Sequence, residues 1–129
     1  MSTSVDQKKE KYMKLTETEI RFMNIIWDNN EIKSGELVKK CSVTFGWKKS
    51  TTYTFLKRLQ DKQILVSENS IIRPLVTKNS VQKQESLDII NNTFNGSLPN
   101  FVTAFLSEQK ISKKDYEELR NILDSYKGK

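Results

Sequence analysis

Apolar positions recur with a helical period along most of the chain and switch to a strand-like period only once. In LTETEIRFMNIIW, Ile20, Met23 and Trp27 fall on one side of a helix. Thr16 and Glu19 stand in the T-x-x-E spacing of a capping box, in which each side chain satisfies a free backbone amide at the helix start. A first helix is predicted over about residues 17–29, ended by the turn-forming run Asp28-Asn29-Asn30. Ser34 is placed to cap a short second helix that buries Leu37, Val38 and Cys41. A buried cysteine behaves as a small apolar side chain, so Cys41 reads as core rather than as a redox sensor.

The third helix has the sharpest pattern. In KKSTTYTFLKRLQDKQ, Thr52, Phe55, Leu56 and Leu59 stand at i, i+3, i+4 and i+7 and define a buried face. The opposite face displays Ser50, Thr51, Tyr53, Thr54, Lys57 and Arg58. Short hydroxyls at the N-terminal end can reach base edges, and the two cations can reach phosphate, which is the chemistry a recognition helix needs. An ordinary amphipathic surface helix would look similar in isolation.

The period then changes. Residues 64–68 and 71–76 are rich in β-branched side chains and are separated by Asn69-Ser70, a turn pair. Three helices followed by a short hairpin is the order of a winged helix-turn-helix. Pro74 confines the second strand to an edge or to its outer end. Arg73 is placed either to touch phosphate or to solvate an edge strand. From residue 80 the helical period returns. Leu87, Ile90 and Phe94 mark one helix, ended by Asn95-Gly96, and Leu98, Phe101, Val102 and Phe105 mark a second. Ser112 and Asp115 cap a third, with Tyr116, Leu119, Leu123 and Tyr126 on its apolar face. Three short amphipathic helices seldom make an adequate core alone, so this stretch reads as a dimerisation domain. The competing arrangement packs it onto its own N-terminal domain.

The fold class expected is therefore mainly α with a small β-hairpin wing. A basic tail is expected at 1–13, a winged helix-turn-helix at 14–78 and a helical dimerisation domain at 79–129.

Composition narrows the function. The chain has 129 residues, of which 36% are hydrophobic, a modest supply for a core. It has no apolar run long enough to span a membrane, and its first residues lack the apolar stretch of a secretory signal. Cys41 is the only cysteine, which rules out an internal disulfide and suits a reducing cytoplasm. Histidine is absent, which removes Ser-His-Asp triads, Cys-His pairs and HExxH zinc sites. Nor is there a Gly-rich phosphate loop or a paired-Asp motif, so neither an enzyme nor a cofactor or metal is expected. Charge supplies the positive indication. Residues 1–78 hold 15 Lys and Arg against 9 Asp and Glu, whereas residues 79–129 hold 7 of each. Residues 32–62 alone carry 8 basic side chains against 2 acidic ones. A localised basic surface points to a polyanion such as DNA, although a solvated lysine-rich surface would also account for it.

Five segments, in this order, resemble the penicillinase repressor family, the BlaI/MecI/CopY group of winged-helix repressors. They are LTETEIRFMNIIW, the W-x-x-x-T-x-x-T-x-L-x-R-L pattern, RPLV, FNGSLPNFVTAFL and ISKKDYEELRNIL. In the second, Trp47, Thr51, Thr54, Leu56, Arg58 and Leu59 fit, with Leu56 one place after the family's usual leucine. The similarity runs from about Leu15 to Leu123. It implies a homodimer on a palindromic operator, commonly with TACA/TGTA half-sites, that represses β-lactamase or penicillin-binding-protein genes. By position it implies DNA contacts from Ser50, Thr51, Tyr53, Thr54 and Arg58, to which the charge pattern adds Lys48, Lys49, Lys57 and Arg73. Ser50 and Tyr53 replace residues that are often basic in relatives, and Lys48 stands where a Ser or Thr cap is usual. The resemblance is to the β-lactam-responsive branch, because a single cysteine cannot form the cysteine cluster of the copper-sensing branch. That branch implies a membrane-bound sensor protease as partner and a cleaved bond at Asn100-Phe101, where Phe101 also reads as an ordinary core residue. The alternative function is a winged-helix protein-interaction module or antirepressor with no operator of its own.

Overall fold

The computed structural model describes residues 14–127, so the expected basic tail at 1–13 and the last two residues lie outside the described part. The order is α1 (Glu17–Asn29), β1 (Ile32–Lys33), α2 (Ser34–Phe45), α3 (Lys49–Asp61), β2 (Leu65–Glu68), β3 (Ile71–Pro74), α4 (Lys78–Thr93), α5 (Leu98–Glu108) and α6 (Lys113–Ser125). This is the expected winged helix followed by a helical region.

Local chemistry accounts for most of the boundaries. Thr16 and Glu19 form the capping box of α1: the Glu19 amide donates to Thr16 Oγ1 at 3.1 Å and the Thr16 amide to Glu19 Oε1 at 2.8 Å. Helix α2 departs from expectation, since Lys33 is its N-cap and Ser34 its first residue. The reason lies across the sheet: the Ser34 amide already donates to the Ser70 carbonyl at 2.8 Å, and Ile32–Lys33 are held extended against β3. Gly46 ends α2 in the left-handed region, with φ +72°, where a side chain would be strained. Ser97 and Ser112 cap α5 and α6 by accepting from the Asn100 and Asp115 amides.

The sheet is three-stranded and antiparallel, in the order β1-β3-β2. Asn69 and Ser70 both have positive φ, the geometry of a two-residue hairpin turn whose twist matches that of the strands. Ile32 pairs with Ile72, and Leu65 pairs with Pro74. The second hairpin strand is therefore central, and Pro74 sits at its outer end, beyond the reach of β1. Strand β1 has no signature of its own in two residues. Only its pairing with β3 makes it a strand.

Two compact units divide between Leu87 and Asp88, inside α4 rather than at the expected junction after residue 78. The first turns of α4 belong to the N-terminal unit because Val81 is fully buried in that core. The core gathers Phe22, Met23, Ile26, Leu37, Cys41, Leu56, Leu59, Ile64, Leu65 and Ile72. On α1, Phe22 and Ile26 are fully buried while Ile20 and Trp27 are only partly so. The apolar residues of this helix cover a broader arc than one stripe. Trp27 is pinned by its indole N–H, which donates to the Val76 carbonyl at 3.0 Å.

Among the described residues Glu19 is the one charged residue in this interior, and Lys62, the C-cap of α3, meets both its carboxylate oxygens at 2.9 and 3.0 Å. Burial pushes the Glu19 carboxyl up, but the Thr16 amide and the Lys62 ammonium outweigh it and hold the group below its ordinary value. A carboxyl depressed in the folded state stabilises it fully above the unfolded chain's value and loses that contribution as pH falls through the folded one. Glu19→Gln is expected to lower stability by about 1–3 kcal/mol in urea unfolding at neutral pH. It should also flatten the acid limb of stability against pH; an unchanged limb would show that other carboxylates set it.

Candidate nucleic-acid interface

Helix α3 is held by its apolar side. Thr52, Leu56 and Leu59 are buried and Phe55 is partly so, as the periodicity predicts. It packs against α2 on one side and β2 on the other, which leaves its remaining face to solvent. Ser50, Tyr53, Thr54, Lys57, Arg58 and Asp61 line a shallow, open depression along that face. Thr51, expected to be fully displayed, is only partly exposed. Lys48 is the N-cap and makes no side-chain capping bond, so the first amides of α3 have no side-chain acceptor there. Lys49 and Ser50 follow in the exposed first turn. A helix start without a side-chain cap, carrying two lysines and hydroxyls, favours an anion at that end.

Several of these side chains are held in place. Thr54 Oγ1 donates to the Ser50 carbonyl at 2.9 Å, and the Lys49 ammonium lies 5.8 Å from the centre of the Tyr53 ring. Arg58 stacks on a ring rather than pairing with a carboxylate, its guanidinium 4.6 Å from the centre of Phe55. That contact ends a continuous stack. Phe55 lies 4.4 Å from Trp47, Trp47 lies 4.4 Å from Phe45, and Arg21 covers Phe45 at 5.0 Å. Phe22 supports the stack from the core, 5.9 Å from Trp47 and 5.8 Å from Phe55. The aromatic series joins the turn between α2 and α3 to α1. Periodicity alone marked Phe55 as core and gave no role to Phe45 or Arg21. The i, i+3 spacing of Phe55 and Arg58 was the one local sign of it.

Arg73 lies on the wing and not on an edge strand. Its Nε donates to Glu31 Oε2 at 3.1 Å, a partner that no spacing in the sequence suggests. Cys41 is fully buried beneath α3. Burial pushes its thiol up and the neighbouring Thr52 hydroxyl only partly offsets this, as suits a core thiol.

The C-terminal unit has a second surface. No residue of α5 or α6 is buried. Leu98, Val102, Phe105, Tyr116, Leu119 and Leu123 are exposed, as are Ile89, Leu106 and Ile122, which the expected faces omitted; Leu87, also exposed, is the last residue of the N-terminal unit. Ile90, Phe94 and Phe101 are partly covered. Phe101 meets Phe94 edge-on at 5.4 Å and Phe105 at 6.5 Å. Asn100 is exposed in the first turn of α5, its amide bonded to Ser97 Oγ at 3.1 Å. Among the described residues no helix is long and apolar enough to cross a membrane, and no cluster of His, Cys, Asp and Glu is suited to a metal.

The family model described as penicillinase repressor matches residues 15–125. The chain is 27% identical over 124 residues to a penicillinase repressor of Bacillus licheniformis, covering 93% of this chain and 97% of that protein. It is 27% identical over 118 residues to the methicillin resistance regulatory protein MecI of Staphylococcus aureus, covering 88% and 96%. A penicillinase repressor of Staphylococcus aureus is 24% identical over 123 residues, covering 92% and 98%.

Phe55→Leu keeps an apolar side chain but removes two ring contacts and the surface beneath Arg58. At roughly 0.5–1.5 kcal/mol per aromatic pair and 0.5–1 for an exposed cation–π contact, stability should fall by about 2 kcal/mol. Urea unfolding followed by tryptophan emission measures it. An unchanged midpoint would remove the stack from the determinants of the fold.

Proposed function

The chain belongs to the penicillinase repressor family, DNA-binding transcriptional regulators rather than enzymes, and we propose that it represses as a homodimer on a palindromic operator. The observation that carries the reading is the exposed face of α3, which combines hydroxyls, an aromatic ring and cations beside a helix start without a side-chain cap. Inserted in a major groove, Ser50, Thr51, Tyr53 and Thr54 address base edges, while Lys48, Lys49, Lys57 and Arg58 address phosphates. Two such helices in successive major grooves lie about 34 Å apart, which is the reason for a dimer and for inverted half-sites of the TACA/TGTA kind. The reading places the protein in the cytoplasm, with β-lactamase or penicillin-binding-protein genes as its targets. The relatives named penicillinase repressor and methicillin resistance regulatory protein support that choice.

The exposed apolar side chains of α5 and α6 are the proposed dimer surface. Uncovered leucine, phenylalanine and tyrosine on two neighbouring helices make a patch that a monomer seldom leaves to water. Release is proposed to follow cleavage at Asn100-Phe101 by a membrane-bound β-lactam sensor protease. The bond lies in the first turn of α5, beside Pro99, where helices open most readily. Cutting there separates Phe105 and all of α6 from the DNA-binding unit. Mass spectrometry of the chain from induced cells tests this reading; an intact chain at full derepression overturns it.

Two measurements test the rest. On a duplex carrying the operator, Tyr53→Ala should erode discrimination against random DNA by about 1–3 kcal/mol per lost base contact. Lys57→Ala should weaken both duplexes alike and reduce the salt slope by about one. Equal losses on both duplexes for Tyr53→Ala would reject its base-reading role. Leu119→Glu places a charge on an exposed helix face, so it should leave the fold intact while producing a monomer in sedimentation. Operator affinity should fall by about 10²-fold or more as the avidity of linked modules is lost. A dimer that persists would move the interface elsewhere.

A further inference from the structure

The wing, residues 64–76, contains a single cation, Arg73, and a single anion, Glu68. Arg73 is held across the sheet by a residue outside the wing. Ile32 stands opposite Ile72 and Lys33 opposite Ile71, so the antiparallel register carries Glu31, just before β1, to the side of Arg73. There its Oε2 accepts from Arg73 Nε at 3.1 Å. On the other side Arg73 is paired with Val66, which brings no charge. Ile32 and Ile72 are buried, so by strand alternation Glu31 and Arg73 share the outer face of the sheet.

We infer that Glu31 sets the strength of sequence-independent DNA binding: it neutralises the wing's only cation and so trims the part of the affinity that every duplex shares. The inference rests on the DNA-binding reading above. The Arg73 and Glu31 side chains are 50% and 58% exposed. A pair this open to water is screened and worth at most about fivefold in an equilibrium, so a phosphate competes for the guanidinium. The carboxylate nevertheless stays beside the exchanged guanidinium and repels the phosphate, so the wing adds little net counterion release. Phosphate contacts carry no sequence information. Restraining one of them lowers binding to operator and non-operator DNA by the same factor, without touching the base-reading face of α3.

The test uses the full chain and fluorescently labelled duplexes, one of random sequence and one from upstream of its own gene, titrated at several salt concentrations. Glu31→Gln keeps the shape and removes the charge. It should tighten both duplexes by the same factor, about 3- to 10-fold at low salt, and steepen the slope of log affinity against log salt by about 0.9 per chain. In an Arg73→Ala background the same substitution should do neither. Both residues are exposed, so unaltered unfolding midpoints are expected and serve as the control. A slope that does not change, a gain confined to one duplex, or a gain that survives Arg73→Ala would each overturn the inference. Wild-type protein that binds neither duplex would instead overturn the DNA-binding reading, and this inference with it.

Discussion

A carboxylate buried at the start of α1 meets the ammonium that ends α3, and the placing of α3 depends on that junction. Glu19 accepts from the Thr16 amide within its own helix and from Lys62 across the core. The pair need not add net stability, because desolvating a carboxylate can offset its attraction to an ammonium. It does restrict the arrangement. Sliding or rotating α3 would strand a charge in the interior, which is far more costly than displacing an apolar contact. The other end of α3 is fixed differently. The stack Arg21-Phe45-Trp47-Phe55-Arg58 joins the helix-turn-helix turn to α1 through ring faces. One end is thus set by charge and the other by aromatic shape, and the exposed face between them is free to carry any side chains that suit a groove.

That arrangement explains which parts were legible in the sequence. Signals contained within one helix or turn were read correctly: the Thr16-Glu19 box, the buried face of α3, the Asn69-Ser70 turn, and the Ser112 cap of α6. Features made by residues far apart in the chain were not. Strand β1 exists because β3 pairs with it, Ser34 is not a cap because Ser70 takes its amide, and Glu31 reaches Arg73 only through sheet register. The boundary inside α4 was missed for the same reason: Val81 belongs to the N-terminal core through tertiary packing, which no local period reveals. Family resemblance covered nearly the whole chain and still carried no information about these pairings.

The two units divide their physics as well as their sequence. The N-terminal unit has a closed core and the excess positive charge. The C-terminal unit has balanced charge and apolar side chains left in water. Under the proposed function, long-range attraction to a polyanion and short-range association with a second chain fall to different segments. An ionic change acts mainly on the first, and loss of apolar contact acts mainly on the second.

Two ion pairs of the N-terminal unit show how burial alone turns one chemistry to two uses. Lys62–Glu19 and Arg73–Glu31 have nearly the same separation, 2.9 and 3.1 Å. In the first, the carboxylate is fully buried and its partner 30% exposed, so no competing anion reaches the lysine without leaving a charge uncompensated. That pair can only be a fixed part of the scaffold. In the second, both partners lie in water, the attraction is screened, and the guanidinium can be exchanged for another anion at little cost. A buried pair specifies where an element sits, whereas an exposed one sets how strongly a surface attracts its ligand. Both arise here from glutamates of the first turn or the loop end of the same segment, 17–31, which fixes α3 from beneath through Lys62 and meets the wing at its edge through Arg73.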